Sequence, residues 1–106
     1  MAAKATDHFN PEWNWWQRED ATKESAMNAD ARLASHAIQQ HVVNELQADA
    51  SFDPEITYDK GQAFLRMLEA YLGENTFRDG ARNYMQARKY SNATTADVWY
   101  GLTAAS

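Results

Sequence analysis

The chain has no cysteine, only two prolines and four glycines in 106 residues, and no apolar run near the roughly 20 residues that a membrane-spanning helix needs. Without cysteine there can be no disulfide and no thiolate metal ligand. No apolar stretch near the N-terminus resembles a secretory signal, so the expected location is the cytoplasm, away from membranes. Basic residues are also in deficit. Ten Lys and Arg against fifteen Asp and Glu give a formal charge of −5, which argues against nucleic acid as a partner. No glycine-rich phosphate loop is present. The three histidines, His8, His36 and His41, do not fall in a His-Glu-x-x-His frame.

What remains reads as helix. The scarcity of Gly and Pro, with no alternating apolar run of strand length, predicts an all-α fold. The expected architecture is a bundle of four to five helices in a single domain over residues 1–106. Asn10-Pro11 marks a helix start, as N-cap and first helical residue, and that helix is expected to run to about Ser35. Its Trp13, Trp16, Met27 and Ala31 give a partial apolar face, with Arg18, Glu19, Asp20, Lys23 and Glu24 solvated. A second helix starts near Asp53-Pro54, where Phe64, Met67, Leu68, Tyr71 and Leu72 keep helical spacing up to a stop at Gly73. A third follows from Glu74 with Phe77, Ala81, Tyr84 and Met85 on one face. A last one begins at Thr95, with Thr94 as N-cap, Asp97 close to a capping-box position, and Val98, Trp99 and Leu102 packing inward.

The most specific stretch is Ile56-Thr57-Tyr58-Asp59-Lys60-Gly61-Gln62-Ala63-Phe64-Leu65-Arg66-Met67-Leu68-Glu69. It resembles a segment of the gluzincin-type zinc aminopeptidases, the alanyl and puromycin-sensitive aminopeptidase family. There a Tyr, an acidic or small residue and then Lys-Gly open a helix behind the active site. The resemblance implies that the hydroxyl of Tyr58 helps to hold the tetrahedral oxyanion. The similarity continues in the family's order through Leu72-Gly73-Glu74, Phe77-Arg78-Asp79-Gly80, Tyr84-Met85, Tyr90-Ser91-Asn92-Ala93 and Thr95-Ala96-Asp97-Val98-Trp99. Ala3 to Trp13 look like the stretch after the family's second zinc helix. The family binds zinc through His-Glu-x-x-His and a later Glu, and its third ligand would lie just before Met1. The chain is therefore expected to be an internal piece of such a catalytic domain, downstream of the zinc ligands and not competent alone as an aminopeptidase.

Residues 36–50 depart from the family pattern. The family tends to carry His-Pro-Ile and Gln-Pro-Val where this chain has His36-Ala37-Ile38 and Gln40-His41-Val42. Losing each proline frees φ and restores a donor, worth up to ~3 kcal/mol per site in favour of helix. Ile38, Val42 and Leu46 would then form a helical stripe, either as a separate helix or as an extension of the first. Surface once covered by a parent domain favours self-association, so a homodimer or higher homo-oligomer is expected.

The same segment offers an alternative chemistry. On a helix His41 and Glu45 stand at i, i+4 and share a face, with His36 nearby and His8 available from elsewhere or from a second protomer. That set, His36, His41 and Glu45, is the candidate metal site, with zinc as its expected ion and hydrolysis of an ester or phosphoester as its expected reaction. Surface polar residues on an amphipathic helix explain it as well. Trp13, Trp15 and Trp16 read as packing or as an aromatic pocket. Lys60 beside Tyr58 could lower the phenol pKa and activate it, or Tyr58 is a relic near a helix start. Asp53, Glu55 and Asp59 read as a weak cation cluster or as a solvated helix N-terminus.

Overall fold

The computed structural model describes residues 1–106, leaving aside the side chain of Ala50, and its regular elements are all helical. They are α1 (Ala2–Phe9), a 3-10 turn (Pro11–Trp13), α2 (Trp15–Asp30), α3 (Glu45–Ala50), a π-helical turn (Glu55–Lys60), α4 (Gly61–Leu72), α5 (Glu74–Arg88) and α6 (Thr95–Thr103). The all-α expectation holds, with α1 as a helix that the sequence reading did not anticipate. The chain divides into two compact units, Met1–Ala63 and Phe64–Ser106, and the division falls inside α4.

In the first unit, the helix expected from Pro11 to about Ser35 is interrupted and shortened. Pro11 opens only a 3-10 turn, and Asn14 then takes the left-handed conformation, φ 49° and ψ 49°. Asparagine tolerates that region better than most residues, so it can reset the chain direction before α2 begins at Trp15. α2 ends at Asp30. It packs against the π-helical turn, and the buried apolar residues of this unit sit on those two elements, Ala26 at 2% exposure and Ile56 at 1%.

The helix expected within residues 36–50 is mostly not formed. Residues 35–44 lie outside any helix, and only Glu45–Ala50 are helical. Asn44 supplies the reason. Its backbone is extended, φ −153° and ψ 171°, and its side chain accepts from Gln47 N–H at 2.9 Å, which makes it an N-cap. Gln47 Oε1 in turn accepts from Val43 N–H at 2.9 Å, close to a capping box. Upstream, the amide of Gln40 reaches Ser51 O at 3.3 Å and His36 Nδ1 at 2.9 Å, so side chains hold this stretch in a form that competes with helix. Removing proline permits helix; β-branched Ile38, Val42 and Val43 with polar neighbours do not compel it.

In the second unit, Gly73 ends α4 at φ 86°, a conformation that side chains disfavour, and α5 begins at the next residue. α5 and α6 then pack at very close range. A Cβ at Gly80 would lie 2.8 Å from Leu102 Cα, and one at Gly101 would lie 2.8 Å from the Gly80 carbonyl oxygen. Leu102 is buried beside them. α6 opens as expected: Thr94 N–H donates to Asp97 Oδ2 at 2.7 Å, completing a capping box, while Arg88 reaches Asp97 Oδ1 at 2.5 Å. The Thr94 N–H and then Arg88 hold the Asp97 carboxyl below its ordinary pKa, so its support for α6 is present at neutral pH and is lost as the carboxylate is protonated in acid.

Gly80→Ala should destabilise this unit by about 1–3 kcal/mol through the clash with the Leu102 backbone. Thermal unfolding followed by circular dichroism would check it; an unchanged midpoint would mean that the two helices do not approach this closely.

Candidate functional site

Tyr58 stands in the π-helical turn, and the residues before it show how the turn is started. Asp53 Oδ1 accepts from Glu55 N–H at 3.0 Å, and its carbonyl accepts from Ile56 N–H at 3.2 Å and Thr57 N–H at 2.7 Å. Pro54 needs no acceptor at this position, so the helix start expected near Asp53-Pro54 is where the sequence puts it. The bonds then lengthen to five-residue spacing, with Gly61 N–H on Ile56 O. Such wide turns are rare and recur at functional sites. Ile56 points into the unit while Tyr58, two residues on, is 64% exposed. The ring of Phe52 meets the Tyr58 ring edge-on, centroids 5.5 Å apart at 81°. The Tyr58 hydroxyl has no hydrogen-bond partner among the described residues and is free to donate to a ligand.

Three polar links tie this region to α2. Ser25 Oγ donates to Glu55 Oε1 at 3.2 Å, Lys60 Nζ donates to Asp30 Oδ1 at 2.6 Å, and the Gln62 amide donates to the Glu19 carboxylate. Lys60, and then Ser35 at 2.5 Å, hold the Asp30 carboxyl below its ordinary pKa. Asp59 goes the other way: burial first, then the charges of Glu19 and Glu55, push its carboxyl up. The ammonium of Lys60 is thus paired with Asp30. Asp53 is occupied as a cap and Glu55 by Ser25, so these two members of the acidic cluster are structural links.

The proposed metal ligands are not brought together on a helix. His36 Nδ1 lies 2.9 Å from both the Ala37 carbonyl and the Gln40 amide. His41 is exposed in irregular chain, and Glu45 is the first residue of α3, so the shared i, i+4 face does not exist. His8 lies in α1 with its ring against Phe9, centroids 5.2 Å apart. Among the described residues no three His, Asp or Glu side chains are grouped so as to hold a metal. The zinc that the resemblance implies therefore has no donor set among the described residues. Of the tryptophans, Trp13 is exposed while Trp15 and Trp16 are half-buried.

The setting of Tyr58 is not legible in the sequence. Nothing in the sequence couples Asp30 to Lys60 across 30 residues, and the π spacing has no composition signal.

The whole chain, residues 1–106, matches the Peptidase family M1 domain. The chain belongs to this family. It is 38% identical over 104 residues to a leucyl aminopeptidase of Saccharolobus solfataricus, covering 97% of this chain and 13% of that protein. It is 40% identical over 98 residues to aminopeptidase M1-A of Oryza sativa subsp. japonica, covering 92% and 11%. With the alanine/arginine aminopeptidase of Saccharomyces cerevisiae it shares 37% identity over 107 aligned residues, 100% of this chain and 12% of that protein. The chain thus spans about an eighth of the length of these M1 relatives. No helix among the described residues is long and apolar enough to cross a membrane.

The raised Asp59 pKa sets a sign. The folded chain holds the Asp59 proton more tightly than the unfolded chain, so the carboxyl favours folding in acid and that support is lost as pH rises through the folded value. Asp59→Asn should therefore raise stability at pH 7, by less than about 1 kcal/mol because solvent screens the site. The gain should vanish below the ordinary aspartate pKa of about 3.9. Denaturant titrations of both proteins at pH 7 and pH 3 would show it; an equal difference at the two pH values would be contrary to it.

Proposed function

We propose that residues 1–106 are the part of an M1-type aminopeptidase catalytic domain that supplies Tyr58 to the transition state. The phenol donates a hydrogen bond to the oxyanion that develops when the carbonyl of the amino-terminal peptide bond is attacked. The observation that carries this reading is the exposed Tyr58 hydroxyl with no partner of its own, set on a π-helical turn whose neighbours are anchored. A donor that is already oriented and already free of competing bonds needs no reorganisation when charge develops, and removing one such donor typically costs about 10²–10³ in kcat.

These residues alone do not make a peptidase. Among the described residues no three His, Asp or Glu side chains are grouped to hold a metal, and this reading takes the water-activating groups from other residues. An isolated chain of these 106 residues is a helical piece of the catalytic domain without aminopeptidase activity. Exposed Leu65, Met67 and Tyr71 on α4 support a homodimer for that isolated chain, because apolar side chains left in water seek cover from a second copy.

Two measurements test this. In a chimera in which these residues replace the matching segment of the Saccharolobus solfataricus leucyl aminopeptidase, Tyr58→Phe should lower kcat about 10²–10³-fold with KM little changed. A loss below about threefold would sink the role given to Tyr58. The isolated chain should release no amino acid from an aminoacyl anilide, with or without zinc, and should run as a dimer in light scattering. Turnover together with stoichiometric bound zinc, abolished by His41→Ala, would instead establish a new metal site at His36, His41 and Glu45.

A further inference from the structure

The Lys60 of the Tyr-Asp-Lys-Gly motif is left without a role once its charge is seen to be committed elsewhere. We infer that Lys60 is a positioning residue for Tyr58, pinning the π-helical turn to α2 through Asp30; this rests on the reading of Tyr58 given above.

The phenol cannot orient itself. Its hydroxyl is unpartnered, and its ring has one aromatic neighbour, Phe52, itself exposed. The direction of the side chain therefore depends on the backbone that carries it. That backbone follows five-residue hydrogen-bond spacing, which is less favourable than α geometry and persists where the surroundings hold it.

The holds bracket Tyr58. Glu55, three residues before it, is tied to Ser25; Ile56, two before, is buried; Lys60, two after, is tied to Asp30 at 2.6 Å. The Lys60–Asp30 pair is the charged member of this set. Its side chains are 30% and 38% exposed, so it is less screened than a pair on open surface, and the same Asp30 oxygen, Oδ1, also accepts from Ser35 Oγ at 2.5 Å. Without the pair, nothing polar anchors the turn immediately after Tyr58 until Gln62 meets Glu19.

A different role for the lysine would be electrostatic, with its charge lowering the phenol pKa. The two roles separate experimentally. If Lys60 positions, Asp30 is as important as Lys60 and the pH dependence of kcat stays put. If it tunes charge, removing the Asp30 carboxylate strengthens the effect of the ammonium, and removing the lysine shifts the alkaline limb.

The test uses the aminopeptidase chimera described above. Lys60→Met and Asp30→Asn should each lower kcat roughly ten- to hundredfold, as a displaced catalytic group does, with KM within about twofold. The double variant should be no worse than either single one, Lys60→Arg should restore most of the rate, and none of these changes should matter in a Tyr58→Phe background. A full kcat in Lys60→Met, alongside a collapsed kcat in Tyr58→Phe, would overturn the inference and leave the role of Tyr58 standing. A shift of the alkaline limb in Lys60→Met but not in Asp30→Asn would overturn it in favour of charge tuning. If Tyr58→Phe is itself silent, the role of Tyr58 fails first.

A second readout does not depend on activity. In the 106-residue chain labelled with 3-fluorotyrosine, the position 58 resonance, assigned by its loss in Tyr58→Phe, should move or broaden alike in Lys60→Met and Asp30→Asn. It should return in Lys60→Arg. A resonance that none of these changes moves would overturn the inference.

Discussion

The seating of Ile56 against α2 is the contact on which the arrangement of the first unit depends. Burying an isoleucine side chain is worth about 1.5–3 kcal/mol, whereas a partly exposed ion pair or polar link contributes about 0–1 kcal/mol. The apolar contact therefore decides where the π-helical turn sits, and the polar links decide how it is rotated. Ala26 makes this possible by being small: at 2% exposure it leaves the surface of α2 shallow enough for a helical turn to come close. With Ile56 facing in, the side chain two positions later has to face out, and that side chain is Tyr58.

The second unit solves a similar problem without charge. Gly80 and Gly101 remove side chains at the point where α5 meets α6, so backbone meets backbone and Leu102 fills the remaining space. Dispersion at such short range is collectively large, but it leaves no tolerance, since packed interiors cannot absorb an added methyl group without shifting. The capping box at Thr94 and Asp97, with Arg88 reaching across from α5, fixes where α6 starts and hence which of its residues arrives opposite Gly80.

Much of this was legible along the chain, and the illegible part has a common cause. Signals carried by neighbours in sequence match the structure: Asp53-Pro54 as a helix start, Gly73 as a stop, Thr94 with Asp97 as a cap. The failures came where one local signal was weighed without its competitor. The missing prolines at Ala37 and His41 argued for helix, yet Asn44-x-x-Gln47 is a capping pattern that starts the helix later, and it erases the face that His41 and Glu45 needed. Asn10-Pro11 was read as a helix start without regard to Asn14, whose side chain tolerates the left-handed turn that interrupts it. The pairing of Lys60 with Asp30 was not legible at all, because it depends on how α2 and the turn pack, and no periodicity reports that.

A π-helical turn spends one more residue than an α-helical turn of the same backbone path. The helix that carries Tyr58 therefore holds a residue in reserve. If the stretch between α2 and Asp53 were to lose a residue, the turn could tighten to α geometry and give one back. Lys60 and Gln62 would then keep their register on α2, but Thr57 would come into the place of Ile56. The length of the segment joining the two halves of the first unit is in that sense tied to the buried seat of Ile56, and the slack that would let it vary is stored in the turn that carries the phenol.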